Sequence, residues 1–305
     1  MVSARTVILL YHRIADLDQD PWGLAVKPEY FAEQLQVLRE IGVISLRDVE
    51  STNVRPFSRG CSIAITFDDG YADNYTNALP LLERFEVPAT FFVTTGYVGK
   101  SMPFWWDELQ AIMLGAQFPE KVRVQLGEHS LTINPGSGED AVESLRRVHP
   151  LLQQLDAAEQ RQALDNLRAA TRSTCVNSPA GFAMTEEQVL KMSGSPFAEV
   201  GAHTVTHPKL AVLSPSRQFE EIEESKNYLT ALSGKKITSF SFPYGAPLHF
   251  TESTRRLVIA SGFQRACTTE GAVFRGRHGQ FGIPRLTVPN VNGEQFSRWL
   301  WSYLR

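Results

Sequence analysis

The stretch Ser62-Ile63-Ala64-Ile65-Thr66-Phe67-Asp68-Asp69-Gly70 decides how this chain reads. A short apolar, β-branched run closed by a turn signal predicts a buried strand, and this one ends on two adjacent carboxylates. A second run, Ala198 to Ala202, leads into His203-Thr204-Val205-Thr206-His207-Pro208. Pro208 disfavours a helical conformation at His207, so the two histidines lie in a strand-to-loop turn and not on a helix face. Two imidazoles and one carboxylate make a ligand set for a divalent ion, and the second carboxylate is left over as a base.

Outward from these two stretches, apolar strands alternate with amphipathic helices. Strands are predicted at Val7 to Ile14, Ser62 to Phe67, Ala89 to Thr94, Ala198 to Ala202, Ile237 to Phe242, Phe263 to Thr268 and Ile283 to Val288. Pro28 marks a helix start ahead of Phe31, Leu35 and Leu38 at helical spacing. Tyr75, Leu79, Leu82 and Phe85 mark the next helix, and Phe219, Ile222 and Leu229 a later one. Near-continuous apolar strands in seven or so β/α units predict a parallel sheet covered by helices. A closed, distorted (β/α) barrel is preferred to an open doubly wound sheet, since the Gly-rich dinucleotide turn is absent. The rhythm stops between about 101 and 185. There Val122 to Leu126 and Ser130 to Ile133 predict a hairpin around Gly127-Glu128, followed by two polar helices near 139–155 and 157–172. The whole of 1–305 reads as one domain, with this insertion folded against the barrel.

Composition narrows the function. The chain has 305 residues, 43% hydrophobic and 21% charged, with a net charge of −3. That balance suits a soluble globular protein and argues against a nucleic-acid partner. No run of about 20 apolar residues is present, which excludes a transmembrane helix. The N-terminus reads as a strand and not as a signal peptide, so the expected location is cytoplasmic, or extracytoplasmic if a leader has been trimmed. Cys61, Cys175 and Cys267 are scattered and predict buried free thiols. Phe296, Trp299, Leu300, Trp301, Tyr303 and Leu304 make the last helix apolar around most of its girth, which points to core packing or a homodimer contact.

In a parallel barrel the C-terminal strand ends gather at one mouth, where chemistry sits. Here the sequence resembles the polysaccharide deacetylases, carbohydrate esterase family four. Thr66-Phe67-Asp68-Asp69-Gly70 resembles that family's first motif, His203-Thr204-x-x-His207 its second, and Ser239-Phe240-Ser241-Phe242-Pro243-Tyr244-Gly245 its third. Leu10-Tyr11-His12-Arg13-Ile14 is similar to the opening strand of many bacterial members. The resemblance implies Asp69, His203 and His207 as metal ligands and Asp68 as general base. It implies one divalent ion, zinc first, with cobalt, nickel, iron or manganese also suited to the ligand set. It places a backbone N–H near Tyr244, beside Pro243, against the tetrahedral oxyanion.

Two positions depart from the family pattern. Where members usually carry an orienting Arg, two residues before the third motif's Pro, this chain has Ser241. Where they carry a C-terminal Leu-x-His, it reads Ile283-Pro284-Arg285-Leu286. Arg285 is the expected partner of Asp68 in place of the missing Arg. The resemblance to the family's poly-N-acetylglucosamine deacetylases, in which an N-terminal Tyr-His strand supplies the acid, implies His12 as general acid, with His278 the runner-up, and barrel closure would set the first and last strands side by side. His129, expected in the hairpin turn, His149 and His249 read as surface residues. Trp22, Trp105 and Trp106 are expected in mouth loops, where their rings would stack on a sugar. The implied activity is a metal-dependent N-deacetylase of an acetamido sugar in a bacterial polysaccharide or its precursor. The alternatives are an O-deacetylase, an N-deformylase of a glycan or lipid-linked sugar, and an inactive glycan-binding barrel.

Overall fold

The computed structural model describes residues 5–49, 61–115, 122–126, 129–133, 138–171, 182–275 and 279–304. It divides into two compact units, one formed by Met1–Gly99 with Met184–Arg305 and the other by Lys100–Ala183.

In chain order the strands are β1 (Arg5–Tyr11), β2 (Arg13–Ile14), β3 (Ala25–Val26), β4 (Cys61–Phe67), β5 (Ala89–Val93), β6 (Val122–Leu126), β7 (His129–Ile133), β8 (Ala198–Ala202), β9 (Ser239–Ser241), β10 (Arg265–Cys267) and β11 (Leu286–Thr287). The helices are α1 (Pro28–Ile41), α2 (Leu79–Phe85), α3 (Trp105–Leu114), α4 (Gly138–Leu152), α5 (Ala157–Thr171), α6 (Glu186–Gly194), α7 (Pro215–Ser233), α8 (Glu252–Ala260) and α9 (Gly293–Leu304).

Seven parallel strands, in the order β10-β9-β8-β5-β4-β1-β11, form the sheet of the larger unit. Leu9 pairs with Leu286 at one edge, and Ile283 bridges to Cys267 at the other. The 283–287 segment therefore joins the two edges and curls the sheet into a distorted barrel, as the strand-helix rhythm predicts. Side chains alternate across the sheet because successive Cβ atoms point to opposite faces. Val7, Leu9, Tyr11, Ile63, Ile65, Phe67, Phe91 and Val93 join the helix-covered core with Phe31, Leu35 and Leu38 of α1. Ile8, Ala64, Phe92, Cys267 and Ile283 form a second, inner cluster. Phe92 explains Gly201 on β8: a Cβ there would lie 2.6 Å from the phenyl ring.

This alternation sets up the chemistry. Ala64 belongs to the inner cluster, so Thr66 and Asp68 continue on the inner face, at the C-terminal end of β4. Ser241 ends β9 on the same face, because its neighbours Phe240 and Phe242 belong to the outer core.

The structure adjusts several expectations. The predicted Val7 to Ile14 strand is broken at His12, and its last two residues pair with β3, a strand the periodicity does not show. The helix after β4 begins as a stretch of π-helix, Asn74–Ala78, before α2. In α9, Phe296, Leu300 and Leu304 are buried in the larger unit's core, with Trp299, Trp301 and Tyr303 packed at its edge. No helix among the described residues is long and apolar enough to cross a membrane.

In the smaller unit β6 and β7 pair antiparallel as a hairpin, and Glu108 of α3 is held by Arg161, at 2.6 Å, and by Arg168 of α5. His129 opens β7 opposite Leu126 and is not a turn residue. Trp105 and Trp106 are not in a loop. They open α3 at 3% and 4% exposure. Trp105 stacks on His149 at 4.9 Å and Trp106 on Phe104 at 4.8 Å, so packing takes the faces that a sugar would need. His149 is correspondingly not a free surface residue, and burial pushes its pKa down to about 4.

Candidate metal and catalytic site

Asp68 extends β4 by one ladder bond, its N–H donating to Tyr11 O at 3.0 Å. The chain then reverses sharply: Asp69 has φ 72° and Gly70 φ 84°. His203 continues β8 in the same way, donating to Val93 O at 3.1 Å, and is followed by two more left-handed residues, Thr204 (φ 65°) and His207 (φ 60°). Left-handed non-glycine residues are costly and persist only where their surroundings over-determine them. Here Glu221 of α7 does so. Its carboxylate accepts the N–H groups of Val205 and Thr206, both at 2.8 Å, and the Thr206 hydroxyl at 2.6 Å. Thr204 Oγ1 accepts the His207 N–H at 3.1 Å. Tyr244 (φ 59°) belongs to the same group, its hydroxyl donating to His207 O at 3.3 Å.

These turns bring Asp69, His203 and His207 together. One ligand atom from each lies within 4.8 Å of the others, and all three side chains are buried. Both histidine Nε2 atoms stand 3.5 Å from Asp69 Oδ1. His203 Nδ1 lies 2.8 Å from Ser241 O, and a carbonyl can only accept, so Nδ1 carries a proton and Nε2 is the ring nitrogen turned toward Asp69. Electrostatics agree with a cation site. Against burial, which would raise it, the neighbouring histidines hold Asp69 below the usual carboxylate range. Burial favours a neutral His203, yet Asp68 and Asp69 outweigh it and raise its pKa. His207 is pushed down to about 3, by burial first and then by His203, so it is neutral at working pH. Two carboxylates thus draw one positive charge into a pocket with room between three donor atoms. The residues fit a divalent ion.

Asp68 is held differently. Arg285, fully buried on the inner face, grips it with both arms: Nη1 donates to Oδ1 at 2.7 Å and Nη2 to Oδ2 at 2.6 Å. Ser241 Oγ donates to Oδ2 at 3.1 Å, and Arg285 Nη2 also reaches Ser241 Oγ at 2.8 Å. Arg285 Nε is fixed by Thr268 O at 2.9 Å. A carboxylate has about four lone-pair positions. Among the described residues three are occupied, and the fourth, on Oδ1, is left to accept a proton. Burial raises the Asp68 pKa, but the Arg285 charge overrides it and keeps the group ionised well below the usual carboxylate range. Ser241, which stands where the family carries Arg, therefore bonds to both members of the pair instead of leaving a gap.

His12 sits in the break between β1 and β2, just past the Tyr11–Phe67 pair, and is near enough to Asp68, Asp69 and His207 to influence all three. The π-helical stretch braces it. Asn74 Nδ2 donates to His12 O at 2.7 Å, Asp73 accepts from Arg13 Nε at 2.9 Å and from Ile14 N at 3.0 Å, and Asn77 Nδ2 donates to Ile14 O at 2.8 Å. None of Asp73, Asn74, Asn77 or Glu221 stands out in the sequence, where polar residues on helices read as solvated. The one available signal is that Asp73, Asn74 and Asn77 follow directly on the paired carboxylates. Pro243 is buried. Trp22 is half-buried in a turn where Asp20 accepts the Leu24 and Ala25 N–H groups. His278 lies outside the described residues.

Residues 58–266 match the family model for polysaccharide deacetylase. The chain belongs to the polysaccharide deacetylase family. Among its relatives is a Bacillus subtilis (strain 168) chain called "Putative polysaccharide deacetylase YxkH", 23% identical over 98% of this chain and 77% of that one. The poly-beta-1,6-N-acetyl-D-glucosamine N-deacetylase of Escherichia coli (strain K12) is 31% identical over 28% of this chain and 13% of its own length. In fold, the chain is similar to the Streptococcus pyogenes deacetylase PplD, solved in complex with acetate, at a TM-score of 0.63 and 19% identity over the full length of both.

Proposed function

We propose that this deacetylase is a metal-dependent hydrolase that removes N-acetyl groups from an acetamido sugar of a bacterial polysaccharide or its precursor. The observation that carries the reading is the pairing of two unlike carboxylates. Asp69 faces two imidazoles as a ligand, while Asp68, one residue away, is locked on Arg285 with a single lone pair free.

Asp69, His203 and His207 would hold a divalent ion, which would supply Lewis acidity for a water and for the acetamide carbonyl. Asp68 Oδ1 accepts the proton of the attacking water, and the Arg285 fork with Ser241 prevents the carboxylate from turning away. A backbone N–H beside Tyr244 donates to the developing oxyanion. An amide nitrogen does not leave as an anion at neutral pH, and His12 supplies its proton. Each of Asp69→Ala, His203→Ala and His207→Ala is expected to release most of a bound ion, measured by elemental analysis after gel filtration. Full occupancy in all three would reject the ligand set.

The His12 role has its own signature. His12→Ala is expected to keep the ion and to lose about 10²- to 10⁴-fold in rate on an acetamide. On an activated aryl acetate, whose leaving group needs no proton, the loss should be much smaller. Equal losses on both substrates would make His12 structural. Acetate release from N-acetylated and O-acetylated glycans, with formate release from an N-formyl sugar, tests the reading as a whole. Acetate from the N-acetylated glycan is the expected result. Release only from the O-acetylated one, formate alone, or no release at all would each replace it with one of the three alternatives.

A further inference from the structure

The turn that carries His203 and His207 is gripped from two sides by residues that none of the proposed steps uses. On one side is the segment that follows β5. Thr94 N donates to Asp69 O at 3.1 Å, Thr95 N to Thr204 O at 3.1 Å and Gly96 N to Val205 O at 2.8 Å. These consecutive N–H groups tie the Asp69 turn to the histidine turn. On the other side is Glu221 of α7, 7% exposed, whose Oε2 accepts the N–H groups of both Val205 and Thr206 while Oε1 accepts the Thr206 hydroxyl. One side takes the carbonyls of the turn, and the other takes its N–H groups.

The approach is closest at Gly96. A Cβ there would lie 2.6 Å from Val205 O and 3.1 Å from Val205 Cγ1, so only glycine lets the segment come near enough to make its bond. Glu221 is set in place by its own helix, where the next residue, Ile222, and Ser225 and Leu229 are buried. All of these contacts run to the backbone of the turn or to Thr206, and so leave the ligand atoms of Asp69, His203 and His207 to one another. What they hold is a backbone with left-handed residues at Thr204 and His207, which relaxes to other conformations once the grip is lost.

We propose that Glu221 and Gly96 are positioning residues that set the affinity of the site for its ion, by fixing the His203–His207 turn in the binding geometry before the ion arrives. An ion binds more weakly to a turn that is only partly in place, in proportion to the fraction of molecules in which it is in place. With three protein ligands, two of them on this one turn, displacement of the turn weakens most of the site at once. The inference rests on the ligand set of the deacetylase reading and is independent of the reaction.

The test is a calorimetric titration of the chelator-treated full chain with cobalt(II) chloride, in wild type, Glu221→Ala, Glu221→Gln and Gly96→Ala. Glu221→Ala and Gly96→Ala should each weaken binding about 10- to 100-fold, the usual worth of a residue that orients metal ligands. Glu221→Gln should recover most of the loss. Its amide oxygen can take both backbone N–H groups, and the Thr206 hydroxyl can turn to accept from its NH2. Urea unfolding with and without saturating cobalt separates positioning from plain support of the fold. Affinity and stability are linked, so a 100-fold weaker ion makes the loss of stability in the cobalt-loaded variant about 2.8 kcal/mol larger than in the metal-free one. A residue that only supported the fold would cost both forms alike. Should Glu221→Ala not fold, Gly96→Ala carries both measurements. Wild-type affinity in the variants, or equal losses with and without cobalt, overturns the inference and leaves the ligand set standing. Binding as weak in Glu221→Gln as in Glu221→Ala would make charge and not position the cause, and overturns it too. Wild-type protein that takes up no cobalt overturns the ligand set and the inference with it.

Discussion

Replacing Asp68 with Asn is expected to lower kcat/KM on an acetamide by about three to four orders of magnitude while the protein keeps its ion. The amide has nearly the shape of the carboxylate but cannot take a proton from water, and a positioned base contributes about 10²- to 10⁴-fold. The proposed ligands Asp69, His203 and His207 are untouched. The change also costs stability, because Arg285 is fully buried and would face an amide where it now grips both carboxylate oxygens. Leaving a buried charge unpaired costs about 3–5 kcal/mol. Kinetics should therefore be read beside metal content and a circular-dichroism melt, at a temperature where the variant is folded. Turnover within ten-fold of wild type would move the base to another group.

Arg285→Met should destabilise the fold by a similar amount, about 3–5 kcal/mol in urea unfolding at neutral pH, by leaving Asp68 as the unpaired charge. The sign of its pH dependence follows. With Arg285 present, Asp68 has a lowered pKa, so its contribution to stability is in place above the usual carboxylate range and is lost as pH falls through its folded value. Without Arg285, burial, the largest cause, raises that pKa with only the neighbouring histidines acting against it, so the variant's deficit should shrink as pH is lowered and Asp68 takes up a proton. Arg285→Lys should also fail, because a point charge cannot reproduce the two-armed fork onto Oδ1 and Oδ2. The Asp68→Leu/Arg285→Met pair should be more stable than the sum of the single losses predicts. A deficit in Arg285→Met that does not change with pH would mean that lost packing, and not the ion pair, is responsible.

How far the sequence could be read depended on whether each interaction was local. Strand positions were legible from apolar runs and their turn signals, and the register of Asp68 and His203 at strand ends followed from them. Element lengths were not: β9, β10 and β11 are two or three residues long although the apolar runs that contain them are twice that length, because ladder pairing ends where the sheet curls. Arg285 and Asp68 are 217 residues apart, and only closure of the sheet on itself connects them. Trp105 and Trp106 failed as loop aromatics because a Trp-rich stretch reads the same whether it opens a buried helix or lines a mouth. Glu221 sits among Glu220, Glu223 and Glu224 in what looks like a solvated helix face, and only the fold shows that its carboxylate ties down the His203–His207 turn. Polar residues that act through backbone contacts leave no periodic trace.

The central claim is that Asp69, His203 and His207 hold an ion that Asp68 works beside. The most direct test is acetate release from an N-acetylglucosamine pentasaccharide by chelator-treated protein, titrated with zinc, cobalt or nickel. Release that is absent without metal, returns at about one ion per chain, and does not return in Asp69→Ala is the predicted result. Undiminished release from protein shown to be metal-free would contradict it.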